Sequence, residues 1–157
     1  RSKKRLRKIL TPFKAEYDFI FLDCPVSISI LAENILNAVD YALVPLIPTT
    51  LSVRTYEQLL SFCKNNNYDA SKICTFFSMV DQRKKMHREI IARVSKTYTG
   101  VLQSFIPHLA QIEKMGIYRA PVAEFSPESV ASRSYQNLWD KVQHTILNTD
   151  KNKNALK

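Results

Sequence analysis

The apolar positions of this chain change period several times, and the changes mark out alternating helices and strands. Over residues 2–16, Leu6, Ile9, Leu10 and Phe13 fall three and four apart, one stripe of a helix with basic residues opposite. Pro12, which has no amide hydrogen to donate, should kink or end that helix. Residues 17–23, Tyr-Asp-Phe-Ile-Phe-Leu-Asp, are nearly continuously apolar and too few for a helix. They predict a strand buried on both faces and ending on an acid, Asp23. A loop over 24–29 leads to a short helix with Ile28, Leu31, Ile35 and Val39 on one face. Residues 41–44 predict a second buried strand, stopped by Pro45 and Pro48 because proline cannot donate to a central ladder.

Ser52 is expected to cap a helix lined by Val53, Tyr56, Leu59, Leu60 and Cys63 and ended by Asn65, Asn66 and Asn67. Residues 73–80 predict a third strand and 81–85 an exposed loop, followed by a helix patterned by Met86, Ile90, Val94 and Tyr98. A fourth strand is expected over 101–106. Residues 107–127 read as irregular, with one helical turn near Gln111 and Glu113. Ser126, Pro127 and Glu128 give a hydroxyl cap, a proline at the first helical position and an acid near the positive dipole end. The helix they open should bury Val130, Ala131, Tyr135, Leu138, Trp139, Val142 and Ile146, and this spacing favours core packing of Trp139 and Tyr135 over a stacking platform for bases.

Strands alternating with helices imply an α/β fold: a mostly parallel sheet with helices on both faces. At 157 residues the chain has the size of one domain, 1–157, with a basic end at 1–8 and a polar tail at 148–157. No stretch approaches a membrane-spanning run of about 18 apolar residues, which points to a cytoplasmic location. The first residue is Arg1 rather than Met, the mark expected of a fragment or a processed product.

The formal net charge of +9 suggests nucleic acid until it is divided along the chain. Arg1, Lys3, Lys4, Arg5, Arg7, Lys8, Lys151, Lys153 and Lys157 account for the excess, and the body between is formally neutral. Terminal charge runs are solvated tails or helix faces, or arms for a polyanion. Cys24, Cys63 and Cys74 have no CxxC spacing, so they suggest neither a disulfide framework nor zinc. His87, His108 and His144 are scattered and read as surface or structural residues rather than ligands.

In a parallel sheet the loops following each strand gather at one edge, here 24–29, 48–52, 81–85 and the segment after Pro107. A carboxylate at a strand tip, several hydroxyls and a basic loop suit a magnesium-bound phosphate ligand. Asp23 could equally do no more than cap the turn before Pro25. A phosphate cradle needs a glycine-rich loop, and the two glycines, Gly100 and Gly116, form none.

Three segments in this order and spacing carry a resemblance: residues 17–25, Leu43-Val44-Pro45-Leu46-Ile47-Pro48, and Met79-Val80-Asp81-Gln82-Arg83. Together they resemble the carboxyl-terminal two-thirds of a ParA/Soj/MinD-type partitioning ATPase, whose P-loop would lie before Arg1. Ile106-Pro107 followed by Arg119-Ala120-Pro121-Val122 is similar to the family's later loop. The resemblance implies an incomplete P-loop NTPase fold, with Asp23 as the Walker B aspartate that orders magnesium and its waters in catalysis. It implies that Met79, Asp81, Arg83 and Pro107 lie on the segments enclosing the adenine of ATP. Val26 departs from the family's acid-x-Pro-Pro pattern.

The resemblance further implies non-specific DNA binding through basic residues of this half, here Arg83, Lys84, Lys85, Arg88, Arg119 and Arg133, the first four within the densest basic patch of the body. Without it, the same patch reads as a solvated helix face. Also implied are a homodimer, a ParB-like or other activator, nucleoid association, and a role in chromosome or plasmid partitioning or cargo positioning. Only Ala155 and Leu156 are apolar in the tail, so a membrane-binding helix is not expected. Without a P-loop the chain alone is predicted to hydrolyse nothing. The alternative is a non-enzymatic module that binds DNA or a protein. Loss of a central strand should also leave unpaired edges and exposed apolar surface.

Overall fold

In the computed structural model, which describes residues 5–24 and 30–154, three parallel strands form one sheet in the order β1 (Ala42–Leu46), β2 (Ile73–Val80), β3 (Val101–Pro107). The helices are α1 (Arg5–Leu10), α2 (Ile30–Ala38), α3 (Thr50–Asn65), α4 (Lys85–Thr97), α5 (Ala110–Tyr118), α6 (Val122–Phe125) and α7 (Val130–Asn154), with short 3-10 turns at Pro12–Ala15 and Ala70–Lys72.

The two-residue period of β2 sorts its side chains to two cores. Ile73 and Phe77 join Val53, Tyr56 and Cys63 of α3 and Ile90 and Val94 of α4, whereas Cys74 and Phe76 join Leu102 and the α7 residues Leu138, Trp139, Val142 and Ile146. Helices therefore cover both faces, as the alternating pattern predicts. Trp139 packs in the second core, also as expected.

Gly100 sets the start of β3. Its φ is +77°, and a Cβ there would stand 2.5 Å from the carbonyl oxygen of Ile73. Its own carbonyl accepts the Thr75 amide at 2.9 Å. Only glycine combines that left-handed backbone with so close an approach.

Several expectations are corrected. Residues 17–23 form no strand: the segment is irregular from Tyr17 to Cys24. A strand needs ladder partners as well as apolar side chains, and the described sheet offers this segment none. Its rings lean on α7 instead, with Phe19 and Phe21 at 5.1 and 6.0 Å from Trp139. Phe21 stays 69% exposed. The helix read over 2–16 ends after Leu10 and passes into the turn at Pro12, as that proline predicts, but Ile9 and Phe13 of its apolar stripe remain exposed.

β1 runs through Pro45, which is tolerated because β1 pairs on one side only among the described residues. Thr49, not Ser52, caps α3: its Oγ1 accepts the Ser52 amide at 3.3 Å. The region after Pro107 holds α5 and α6, tied by Tyr118 and Phe125 at 4.7 Å. Helix α7 starts at Val130, capped by Ser129, whose Oγ accepts the Ser132 amide at 3.1 Å, so the proline lies in the preceding turn. Val130, Tyr135 and Met86, expected to be buried, are exposed. The expected loop over 24–29 lies, beyond Cys24, outside the described residues, as does Ile28.

Candidate functional site

The carboxyl ends of β1, β2 and β3 point the same way, so residues 47–49, 81–84 and 108–109 share one edge of the sheet. The 81–84 loop is a hydrogen-bonded turn. The Lys84 amide donates to the Asp81 carbonyl at 3.1 Å, and the Arg83 amide donates to Asp81 Oδ1 at 3.1 Å, the side-chain-closed geometry that favours aspartate at such a position. The guanidinium of Arg83 adds a fork onto the same carboxylate, Nε to Oδ1 at 3.0 Å and Nη2 to Oδ2 at 3.1 Å.

Those bonds from the Arg83 side chain and amide hold the Asp81 carboxyl down at about 2, and Asp81 in turn raises Arg83. Arg88 Nη1 donates back to the Gln82 and Arg83 carbonyls at 2.6 and 3.1 Å. Met79 enters the loop with φ +53°, a left-handed value that costs a non-glycine residue about 1 kcal/mol or more and gathers at working loops. At the tip of β3, Pro107 lies opposite Val80, the His108 amide donates to the Val80 carbonyl at 3.0 Å, and His108 Nε2 meets Glu113 Oε1 at 3.1 Å.

The structure brings together Met79, Asp81, Arg83 and Pro107. It does not give Asp23 the strand tip expected of it: the side chain is exposed on the irregular segment, beside Cys24, whose Sγ donates to the Leu22 carbonyl at 3.2 Å. No group of three or more His, Cys, Asp or Glu side chains able to hold a metal occurs among the described residues. One exposed carboxylate without a phosphate cradle does not fit a magnesium-bound nucleotide, so the described residues do not make that site by themselves. A pocket of about 190 Å³ lies at the opposite edge of the sheet, lined by Arg7, Asn37, Tyr68, Asp69 and Lys72, and holds none of the candidate residues.

Of the basic candidates, Arg83 and Arg88 are spent on the loop itself, Lys85 pairs with Glu89 at 3.6 Å, and Arg133 donates to the Glu128 carbonyl at 2.7 Å. Lys84 and Arg119 are exposed, Arg119 in the left-handed residue that ends α5. Helix α4 starts on Lys84 and Lys85 with no acid in its first turn and no side-chain cap, so positive charge stands on the positive end of the helix dipole.

His87 was missed as a contributor. It is buried at 4% exposure, and its Nδ1 accepts the Asp81 amide at 3.1 Å. The spacing allows it: His87 stands three residues before Ile90 and Met86 four before it, both same-face spacings, and the fold buries His87 with Ile90 and Val94 while Met86 stays exposed. Burial raises the thiols of Cys63 and Cys74, which leaves them unreactive core groups.

Residues 1–73 match the family described as AAA domain. The chain is 30% identical over 139 residues to the chromosome-partitioning ATPase Soj of Treponema pallidum, covering 85% of this chain and 54% of that protein. It is 27% identical to the sporulation initiation inhibitor protein Soj of Bacillus subtilis, over 88% of this chain and 56% of that one. The structure superposes on the cell division ATPase MinD of Pyrococcus furiosus with a TM-score of 0.71 at 18% identity, covering 91% of this chain and 59% of that one. Pyrococcus horikoshii MinD, solved with Mg-ADP, gives 0.69 at 17% identity over 90% and 56%. The architecture is thus that of an α/β P-loop NTPase-like fold. The chain belongs to the ParA/Soj/MinD-type family of partitioning ATPases, and it spans about half the length of the curated relatives it matches. No helix among the described residues is long and apolar enough to cross a membrane.

Proposed function

We propose that this chain is the carboxyl-terminal part of a ParA-like ATPase that uses ATP-dependent dimerisation and non-specific DNA binding to partition chromosomes or plasmids, or to position another cargo. The observation that carries this reading is the similarity to Soj, a chromosome-partitioning ATPase, running through most of the chain. We assign the contacts to nucleotide and nucleic acid to the 81–84 turn, because it lies at the carboxyl edge of the parallel sheet. The basic start of α4 supports a polyanion contact, because cations crowded on the positive end of a helix are relieved by a bound anion. Lys84 and Lys85 are the residues for that contact, the exposed pair of Lys85 with Glu89 being weak enough to yield to a phosphate, with Arg119 beyond them. Arg83 and Arg88 hold the loop. In the whole protein Asp23 would order magnesium, with an activator of ParB type and nucleoid DNA as partners.

The exposed Asp23 favours a second reading for the chain by itself, a binding module that turns over no ATP. The purified chain is expected to show no magnesium-dependent ATP hydrolysis, and measurable turnover would contradict this. It should bind duplex DNA with an affinity that falls steeply with salt. Replacing Lys84 and Lys85 by alanine should weaken every sequence alike and flatten the salt slope by about two, one per lost phosphate contact. An unchanged slope would remove α4 as the DNA contact.

A further inference from the structure

Among the described residues His87 is a buried titratable side chain to which the proposed function gives no task. Its Nδ1 accepts the Asp81 amide hydrogen, so that nitrogen carries no proton of its own in this arrangement. The four-residue turn above it is tied at three more places: Lys84 amide to Asp81 carbonyl, Arg83 onto the Asp81 carboxylate, and Arg88 onto the Gln82 and Arg83 carbonyls. The side-chain ties among these are exposed, where water competes and net worth is small. The bond to His87 is sheltered, because the ring is almost wholly enclosed in the α4 face that carries Ile90 and Val94. It also holds the first residue of the turn, at the point where β2 ends and the left-handed Met79 has just redirected the chain.

We propose that His87 is a positioning residue, whose Nδ1 fixes the Asp81 amide and so sets the shape in which the 81–84 turn is presented to a phosphate-bearing ligand. The ligand half of this inference rests on the function proposed above; the positioning half rests on the geometry alone. A ring that merely filled the core would be replaceable by any apolar side chain of similar bulk. A positioning ring needs an acceptor at the place of Nδ1. Asparagine supplies one, its Oδ1 standing where Nδ1 stood, and leucine does not.

The test compares His87→Asn with His87→Leu in the full 157-residue chain. Loss of one hydrogen bond should speed exchange of the Asp81 amide about tenfold in the leucine variant, while the asparagine variant stays within about threefold of the parent. The Asp81 carboxyl, held at about 2 with Arg83 across it, should titrate nearer the ordinary 3.8 with leucine and stay low with asparagine. Equal behaviour of the two variants, or faster exchange spread equally over the Thr75 and Phe77 amides of β2, would reduce His87 to core filler and overturn the proposal.

Should the leucine variant fail to fold, imidazole nitrogen spectra of the parent chain decide. An unprotonated Nδ1 coupled to the Asp81 amide is expected, and a proton on Nδ1 would overturn the assignment. Duplex DNA is the phosphate-bearing probe, and the leucine variant should bind it about threefold more weakly than the asparagine variant. Equal affinities would refute the ligand half. No duplex binding by the parent would sink the DNA reading, while the exchange and titration results still decide the role of His87.

Discussion

The 81–84 turn and the 17–24 segment carry comparable signals in the sequence, each an acid following an apolar run, yet they are held by different means. Asp81 follows β2, which is paired on both sides, and its backbone and carboxylate are bonded to Arg83, Lys84 and His87. Asp23 follows a run whose rings rest on Trp139 but which belongs to no ladder. Apolar contact without hydrogen-bonded pairing attaches a segment loosely and leaves its end unaimed. A candidate acid therefore becomes a formed site only where the strand beneath it has neighbours.

Three experiments press on that contrast. The largest effect is expected from Trp139→Ala, which removes the ring shared by the α7 core and by Phe19 and Phe21. Large-to-small changes at tryptophan cost about 3 kcal/mol, read as a fall in denaturation midpoint. Limited proteolysis should then cut residues 17–24 first, with 81–84 still protected; simultaneous cutting of both would erase the distinction. Next is Gly100→Ala, where a Cβ meets the Ile73 carbonyl in a left-handed backbone. It should destabilise by about 2 kcal/mol, whereas Gly116→Ala, with open space around it inside α5, should be neutral or gain up to about 1 kcal/mol in thermal unfolding. Similar outcomes at the two glycines would show that the β2–β3 junction is not rigid.

The smallest effect concerns acid. The folded Asp81 carboxyl lies at about 2, below its ordinary 3.8, so its pairing with Arg83 contributes stability above pH 3.8 that is lost as pH falls towards 2. Asp81→Asn should remove that part of the pH slope, as measured by chemical denaturation between pH 5 and 2 in steps. A slope unchanged by the substitution would mean that the pair forms no firmer contact than the exposed Asp23 does.

Much of the sheet was legible in the sequence. Strands β2 and β3, the buried stripe of α3 and the Leu138, Trp139, Val142 and Ile146 part of the α7 stripe follow from period, since side chains sorted to two faces must alternate or recur by turns. What escaped depends on neighbours. The apolar run at 17–23 has the composition of a strand, but composition cannot state whether a partner lies alongside. Pro45 lacks an amide hydrogen and so argues against a strand, yet among the described residues β1 pairs on one side only, which tolerates the missing donor. Helix α5 is masked in the sequence by Gly116, a weak helix former in its last turn.

At the candidate site the turn at 81–84 was legible as a basic loop, but which cations would be free was not. Nothing in the sequence separates Arg83 and Arg88 from Lys84 as exposed cations, and only the folded chain commits the two arginines to Asp81 and to carbonyls. The buried acceptor His87 was legible in principle, through the phase of a stripe. The neighbours of Asp23 in sequence predict a strand tip, whereas its geometry depends on backbone partners that sequence adjacency does not supply.

Trp139 is the single tryptophan of the chain, and it is the ring on which Phe19 and Phe21 lean. Its ultraviolet emission is therefore an unlabelled optical gauge of the neighbouring segment. Any binding event that seats residues 19–21 in a new register would alter the colour or quenching of that one indole, visible in a cuvette without altering a single residue.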